Sequence, residues 1–228
     1  MIEFLFLDLD DTILDFKKAE HIALQKTLRD VGIDPTEEVC ALYSRINVKY
    51  WERLERKELT RPQVLVGRFE ELLQTLGVAA DAQGCADSYA YNLGIGHYFL
   101  PGAEEAVASL AKKYKLYITS NGTASVQSGR LKSANISHYF QDIFISQDMG
   151  ADKPSIEYFK ACFARIPEID PAKTMIVGDS LTSDILGGKN AGILTCWINP
   201  QHKPGREDIR PDYELENLTQ LEALLETL

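Results

Sequence analysis

Ile2-Glu3-Phe4-Leu5-Phe6-Leu7-Asp8-Leu9-Asp10-Asp11-Thr12 is the stretch from which the fold can be read. The run from Ile2 to Leu7, rich in branched and aromatic residues, predicts a buried central strand. Three carboxylates follow within four residues, and they repel one another unless something positive sits among them. Strand alternation places Asp8 and Asp10 on the same side. A divalent cation with oxygen ligands is the simplest remedy, and Mg²⁺ binds through one or two carboxylates plus a substrate phosphate. In open α/β sheets the carboxyl edge of the strands is where ligands bind. The stretch alone leaves a plainer alternative open, a polar strand end followed by a capped helix.

The 228 residues suffice for one large domain, or for a core with a smaller inserted one. A net charge of −10 argues against polymeric nucleic acid as a partner, since that needs clustered Lys and Arg. It leaves room for a small phosphorylated substrate, because a metal and one lysine make a local positive site. Cys40, Cys85, Cys162 and Cys196 lack metal-ligand spacing and are expected as core thiols in a reducing compartment. The apolar N-terminal run is too short to span a bilayer and lacks the features of a signal peptide. The expectation is a cytoplasmic protein with no membrane partner.

Beyond Thr12 the periodicity turns helical. Segments are expected from Phe16 to Leu28, from Thr36 to Arg56, from a Thr60 N-cap with Gln63 to Leu76, and from Ala80 to Leu93. From Pro101-Gly102 onward helices and strands alternate. Helices are expected over Ala103–Lys113, Ala124–Ala134, Pro154–Ala164 and Thr182–Ala191, with Pro154 in the first turn of its helix. Strands are expected over Leu116–Thr119, Ile143–Ile145, Thr174–Val177 and Ile193–Ile198. Such alternation predicts a Rossmann-like α/β core, a parallel sheet covered by helices on both faces. The first strand joins that sheet. The core is therefore expected over 1–15 and 97–228, with an inserted all-helical domain over 16–96.

Three more polar clusters sit beside expected strands or helices. Ser120-Asn121-Gly122 offers a hydroxyl and turn N–H groups for phosphate, although Ser and Asn also favour helix caps. Lys153 precedes a helix, where a cation conflicts with the helix dipole, and this hints at a role with phosphate and an aspartate. Asp179 ends a strand as Asp8 does and could complete a metal site. Asp184 lies one helical turn further on, placed to orient Lys153 or a metal-bound water.

In order, D-x-D-x-T, S-N-G, K-P and G-D-x-x-x-x-D resemble the four motifs of the haloacid dehalogenase-like superfamily, and the helical insertion resembles its C1-type cap. The resemblance implies that Asp8 attacks phosphorus to form an aspartyl-phosphate and that Asp10 is the general acid and base. It further implies Mg²⁺, with Mn²⁺ or Co²⁺ as substitutes, held by the side chains of Asp8 and Asp179 and the backbone carbonyl of Asp10. Ser120, Asn121 and Lys153 would bind phosphate, Thr12 would fix the turn carrying Asp10, and Asp184 would support the site. Asn47 with Trp51, Thr60 with Gly67-Arg68-Phe69, and Thr195-Cys196-Trp197-x-Asn199-x-x-His202 resemble the pyrimidine 5′-nucleotidase branch. That likeness implies a nucleoside monophosphate substrate, with Asn47, Trp51 and Arg68 as specificity residues. The competing readings are a sugar-phosphate phosphatase and a β-phosphoglucomutase-like phosphotransferase on the same framework.

Overall fold

The computed structural model describes residues 1–228. Phe4–Leu7 form strand β1, and all four side chains are buried. The other strands are β2 (Lys115–Ser120), β3 (Phe140–Ile145), β4 (Thr174–Gly178), β5 (Leu194–Ile198) and β6 (Tyr213–Leu215). They form one sheet in the order β3-β2-β1-β4-β5-β6. Every pairing is parallel. β1 lies between β2 and β4, where the chain, having built outward to β3, returns to build the other side. The crevice beyond the carboxyl ends of strands at such a reversal is the natural ligand site of an open parallel sheet.

Alternation along β1 divides the core in two. Leu5 and Leu7 join Ile118, Val177 and residues of helices α5 (Ala103–Leu110), α6 (Ala124–Ala134) and α10 (Leu221–Leu225). Phe4 and Phe6 face the opposite way and pack with Tyr117, Phe144, Tyr158 and Phe159. Tyr158 and Phe159 belong to helix α8 (Ile156–Ala164); the short helices α7 (Ser146–Met149) and α9 (Leu186–Ala191) complete this half of the chain. Both faces of the sheet are thus covered.

The chain divides into two compact units, residues 1–16 with 97–228, and residues 17–96. The second is helical: α1 (Phe16–Asp30), α2 (Glu37–Glu55), α3 (Arg61–Leu76) and α4 (Ala82–Gly94). α3 starts where the sequence signals it, with the Gln63 side-chain oxygen accepting the Thr60 N–H at 2.8 Å. It ends at Gly77 in the left-handed region, φ 66°. Tyr43, Phe69 and Tyr89 form the aromatic centre of this unit, with ring centroids 5.1 to 5.5 Å apart. All four cysteines are buried and free. No helix is long and apolar enough to cross a membrane.

Two helix starts differ from expectation. Pro154 is not in the first turn of α8: the Lys153–Pro154 peptide is cis, and Ser155 caps the helix by accepting the Tyr158 N–H at 3.4 Å. The Ser155 hydroxyl satisfies an N–H that a proline at the start would leave open. The segment expected as one helix over Thr182–Ala191 opens instead as a wide π-helical turn, Leu181–Ile185. There the Asp184 and Ile185 N–H groups both donate to the Ser180 carbonyl.

Candidate active site

The site is built where β1, β2 and β4 end. Asp8 continues β1, its N–H donating to the Val177 carbonyl at 2.9 Å. The chain then turns sharply. Asp11 adopts φ 54°, its N–H donates to the Leu14 carbonyl, and its carboxylate accepts the Phe16 N–H at 3.0 Å. The role expected of Thr12 therefore falls to Asp11, whose short carboxylate side chain tolerates the left-handed region and bonds its local backbone. Thr12 is buried, and its hydroxyl makes no hydrogen bond.

Lys153 is the electrostatic centre. Its ammonium, 1% exposed, donates to Asp8 Oδ1 at 2.7 Å, to Asp184 Oδ1 at 2.6 Å and to the Thr119 carbonyl at 2.8 Å. All three of its donors are engaged. Asn121, expected among the phosphate ligands, spends its side chain on holding Lys153. Its amide oxygen accepts the Lys153 N–H and its amide nitrogen donates to the Lys153 carbonyl, both at 2.8 Å.

Asp8, Asp179 and Asp184 bring carboxylate oxygens within 4.8 Å of one another. Desolvation pushes the Asp8 carboxyl well above the usual carboxylate range; Lys153 opposes the shift, and Asp184, Asp179 and Asp10 add to it. Asp179 is pushed up to about 7, by burial first and then by Asp184 and Asp11. Burial works to lower Lys153, but Asp184 and Asp8 overcome it and hold the ammonium above its ordinary value. Lys153 thus stays charged, with one positive charge against three carboxylates. Ionised together, the three carboxylates would leave two negative charges over, the deficit a single divalent cation neutralises. The residues present fit a metal site formed by Asp8, Asp179 and Asp184.

Two neighbouring features shape this cluster. A side chain at Gly178 would bring a Cβ within 2.2 Å of an Asp184 carboxylate oxygen, so glycine there admits Asp184. The Trp197 indole N–H donates to the Asp179 carbonyl at 2.8 Å and fixes the backbone of that acid. On the other side of β1, Ser120 Oγ accepts the Gly122 N–H at 3.1 Å.

Sequence reasoning missed Gln127 and Arg130 on α6. Gln127 donates to Asp10 and Ser120, while the Arg130 guanidinium forms an ion pair with Asp10. A signal was present: positions 127, 130, 131 and 134 share the buried stripe of α6, and two of the four are polar.

The residues expected to read the substrate lie in the helical unit. Asn47 and Arg68, 3% and 4% exposed, are joined: Asn47 Nδ2 donates to Glu20 Oε1 at 2.7 Å, and Arg68 Nη1 donates to Asn47 Oδ1 at 2.7 Å. The Arg68 guanidinium also lies 4.8 Å from the centre of the Tyr89 ring. Trp51 is half-buried beneath the Arg61 guanidinium, 5.5 Å from its ring centre.

A family model described as haloacid dehalogenase-like hydrolase matches residues 2–192. The chain belongs to that family. A relative named HAD-hydrolase YfnB, from Bacillus subtilis, is 41% identical over 221 residues, covering 97% of this chain and 94% of the relative. Its crystal structure, bound to magnesium, matches with a TM-score of 0.94 over 98% of each chain. The pyrimidine 5′-nucleotidase PynA of Streptococcus pneumoniae is 35% identical, over 93% of this chain and 90% of its own. The pyrimidine 5′-nucleotidase YjjG of Escherichia coli is 30% identical, over 98% and 97%. Members of this hydrolase family thus resemble the chain along nearly its whole length.

Proposed function

We propose that the protein is a Mg²⁺-dependent phosphomonoester hydrolase acting on pyrimidine nucleoside 5′-monophosphates through an aspartyl-phosphate on Asp8. The observation that carries the reading is the pairing of Asp8, held by Lys153 within an electron-rich cluster, with a second carboxylate, Asp10, held by different groups. One carboxylate is positioned for attack and the other for proton transfer, which are the two roles phosphate-ester cleavage requires.

In the first half-reaction an Asp8 carboxylate oxygen attacks phosphorus. The bond from phosphorus to the ester oxygen breaks, and Asp10 gives that oxygen a proton. In the second, Asp10 takes a proton from water, the water oxygen attacks phosphorus, and the carboxylate of Asp8 leaves. Lys153 keeps Asp8 in place, and Ser120 Oγ serves the phosphoryl oxygens. When bound, Mg²⁺ supplies positive charge for the transferring phosphoryl group; Asp8 and Asp179 would hold it, with Asp184 beside them and the Asp10 carbonyl as a further ligand. We assign selection of the leaving group to the helical unit, in the role of a C1-type cap. Trp51, half-buried, is the aromatic residue we assign to the base.

Support for a nucleotide substrate comes from the two relatives named pyrimidine 5′-nucleotidases. The test is kcat/KM for UMP, AMP and glucose 6-phosphate side by side, with Mg²⁺. UMP is expected to be preferred at least about tenfold, the scale that a few recognised substituents provide. Equal rates for AMP or the sugar phosphate would reduce the reading to a general phosphatase. Conversion of glucose 1-phosphate to glucose 6-phosphate in the presence of glucose 1,6-bisphosphate would replace it with a phosphotransferase.

A further inference from the structure

We propose that Gln127 and Arg130 are positioning residues of the reaction, acting through Asp10 to align its carboxyl with the Ser120 hydroxyl. This rests on the phosphohydrolase reading above. The two residues lie three apart on α6 and so share one helix face. Gln127 is 1% exposed and Arg130 is fully buried. A buried guanidinium is costly unless paired, and Arg130 Nη1 donates to Asp10 Oδ1.

Gln127 Nε2 donates to Asp10 Oδ2 at 2.7 Å and to Ser120 Oγ at 2.8 Å. A carboxamide nitrogen carries two hydrogens, one for each of these bonds. Its oxygen accepts from Arg130 Nη1 at 3.3 Å, which ties the two side chains together. Both oxygens of Asp10 are therefore held from α6, which fixes the plane of the carboxyl. Each oxygen keeps a second lone pair for the leaving group or for water. Asp10 remains 27% exposed while the groups that orient it are buried.

Gly122 is a second, independent sign of this arrangement. A Cβ there would lie 2.5 Å from Gln127 Nε2 and 2.6 Å from its Cδ. The glycine of the S-N-G motif thus clears the space that Gln127 occupies. A one-carbon addition at this loop should reproduce the effect of altering Gln127 itself.

The test uses the leaving group. The ratio kcat/KM reports the first half-reaction, in which Asp10 acts as an acid. An alkoxide such as the 5′-oxygen of UMP needs that proton, whereas p-nitrophenolate leaves without it. Gln127→Leu, Arg130→Met and Gly122→Ala are measured on both esters, with Arg130→Lys as the charge-conserving control and circular dichroism to confirm folding. We expect losses of roughly ten- to hundredfold in kcat/KM for UMP, the range typical of orienting partners, and less than about a fifth of that loss for p-nitrophenyl phosphate. Arg130→Lys should recover part of the UMP activity.

In an Asp10→Asn background, adding Gln127→Leu should cost less than about threefold, because the group it positions is already disabled. Equal losses on the two esters, or an undiminished loss in the Asp10→Asn background, would overturn the proposal and leave the hydrolase reading standing. Absence of phosphatase activity in the wild type, or wild-type activity in Asp10→Asn, would remove both together. If the Arg130 variants fail to fold, Gln127→Leu and Gly122→Ala decide the question alone.

Discussion

Replacing Lys153 by Met should destabilise the protein, and by an amount that grows with pH. The substitution keeps much of the side-chain volume but removes the charge that touches Asp8, Asp184 and the Thr119 carbonyl at 2.6 to 2.8 Å. Removing one partner of a buried ion pair costs about 3–5 kcal/mol. At roughly 2–4 °C per kcal/mol for a chain of this size, Tm should fall by about 6–20 °C. The sign of the pH dependence follows from Asp8 and Asp179, whose carboxyls are raised in the folded state by burial. A raised carboxyl binds more protons folded than unfolded, so its protonated form contributes stability that is lost as pH climbs, for Asp179 from about 4 through about 7. Lys153 opposes those shifts, so its removal raises them further. The gap in Tm between wild type and Lys153→Met should therefore widen between pH 5 and pH 8. Differential scanning fluorimetry across that range, with and without Mg²⁺, provides the assay. A Tm within about 2 °C of wild type at pH 8, or a gap that narrows with pH, would refute the charge balance described for this cluster.

Asp179→Ala should raise the Mg²⁺ concentration needed for half-maximal activity by roughly ten- to hundredfold, with Trp197→Phe giving a smaller shift in the same direction, since the indole only fixes the Asp179 carbonyl; Mg²⁺ titrations of activity check both. Stabilisation by Mg²⁺, read as the rise in Tm at fixed metal concentration, should increase from pH 5.5 to pH 8, because a proton on Asp179 competes with the metal up to about pH 7. Arg68→Ala should lower stability by roughly 3 kcal/mol or more through loss of a buried cation that bonds Asn47 and lies against the Tyr89 ring. Urea unfolding of the variant checks that value.

The elements that position the site were legible where a pattern local to the sequence forces them. β1 was readable because a run of branched and aromatic residues ends in carboxylates, and α3 because Thr60, Gln63 and Gly77 mark its ends chemically. The meeting of Asp8 and Asp179 was foreshadowed by their positions at strand ends, since parallel strands bring those ends to one edge. Lys153 and Asp184 were legible through the conflict of a cation before a helix and the position one turn beyond Asp179.

Other parts depended on tertiary contacts that no local pattern encodes. Gln127 and Arg130 fall on the buried stripe of α6, but the stripe does not name their partner Asp10, which lies more than a hundred residues earlier in the chain. Asn121 was assigned to phosphate by its motif, yet its side chain closes two hydrogen bonds on the Lys153 backbone. The start of α8 was misread because proline favours the first turn of a helix, whereas Ser155, the next residue, caps this one. Asn47 and Arg68, expected from the resemblance to read the substrate, are buried polar partners of each other. A resemblance in sequence does not by itself separate a recognition face from a polar interior.

The central claim, an aspartyl-phosphate on Asp8, is tested most directly by quenching the enzyme in acid during the first turnover of UMP with Mg²⁺. The peptide covering residues 1–17 is then weighed by mass spectrometry. The account predicts that this peptide gains one phosphoryl group, mapped to Asp8, at a rate no slower than phosphate release. Asp8→Asn should show neither the adduct nor turnover, with a loss of at least about a thousandfold. Phosphate released in the first turnover with no phosphorylated peptide, or with the phosphoryl group on another residue, would contradict it.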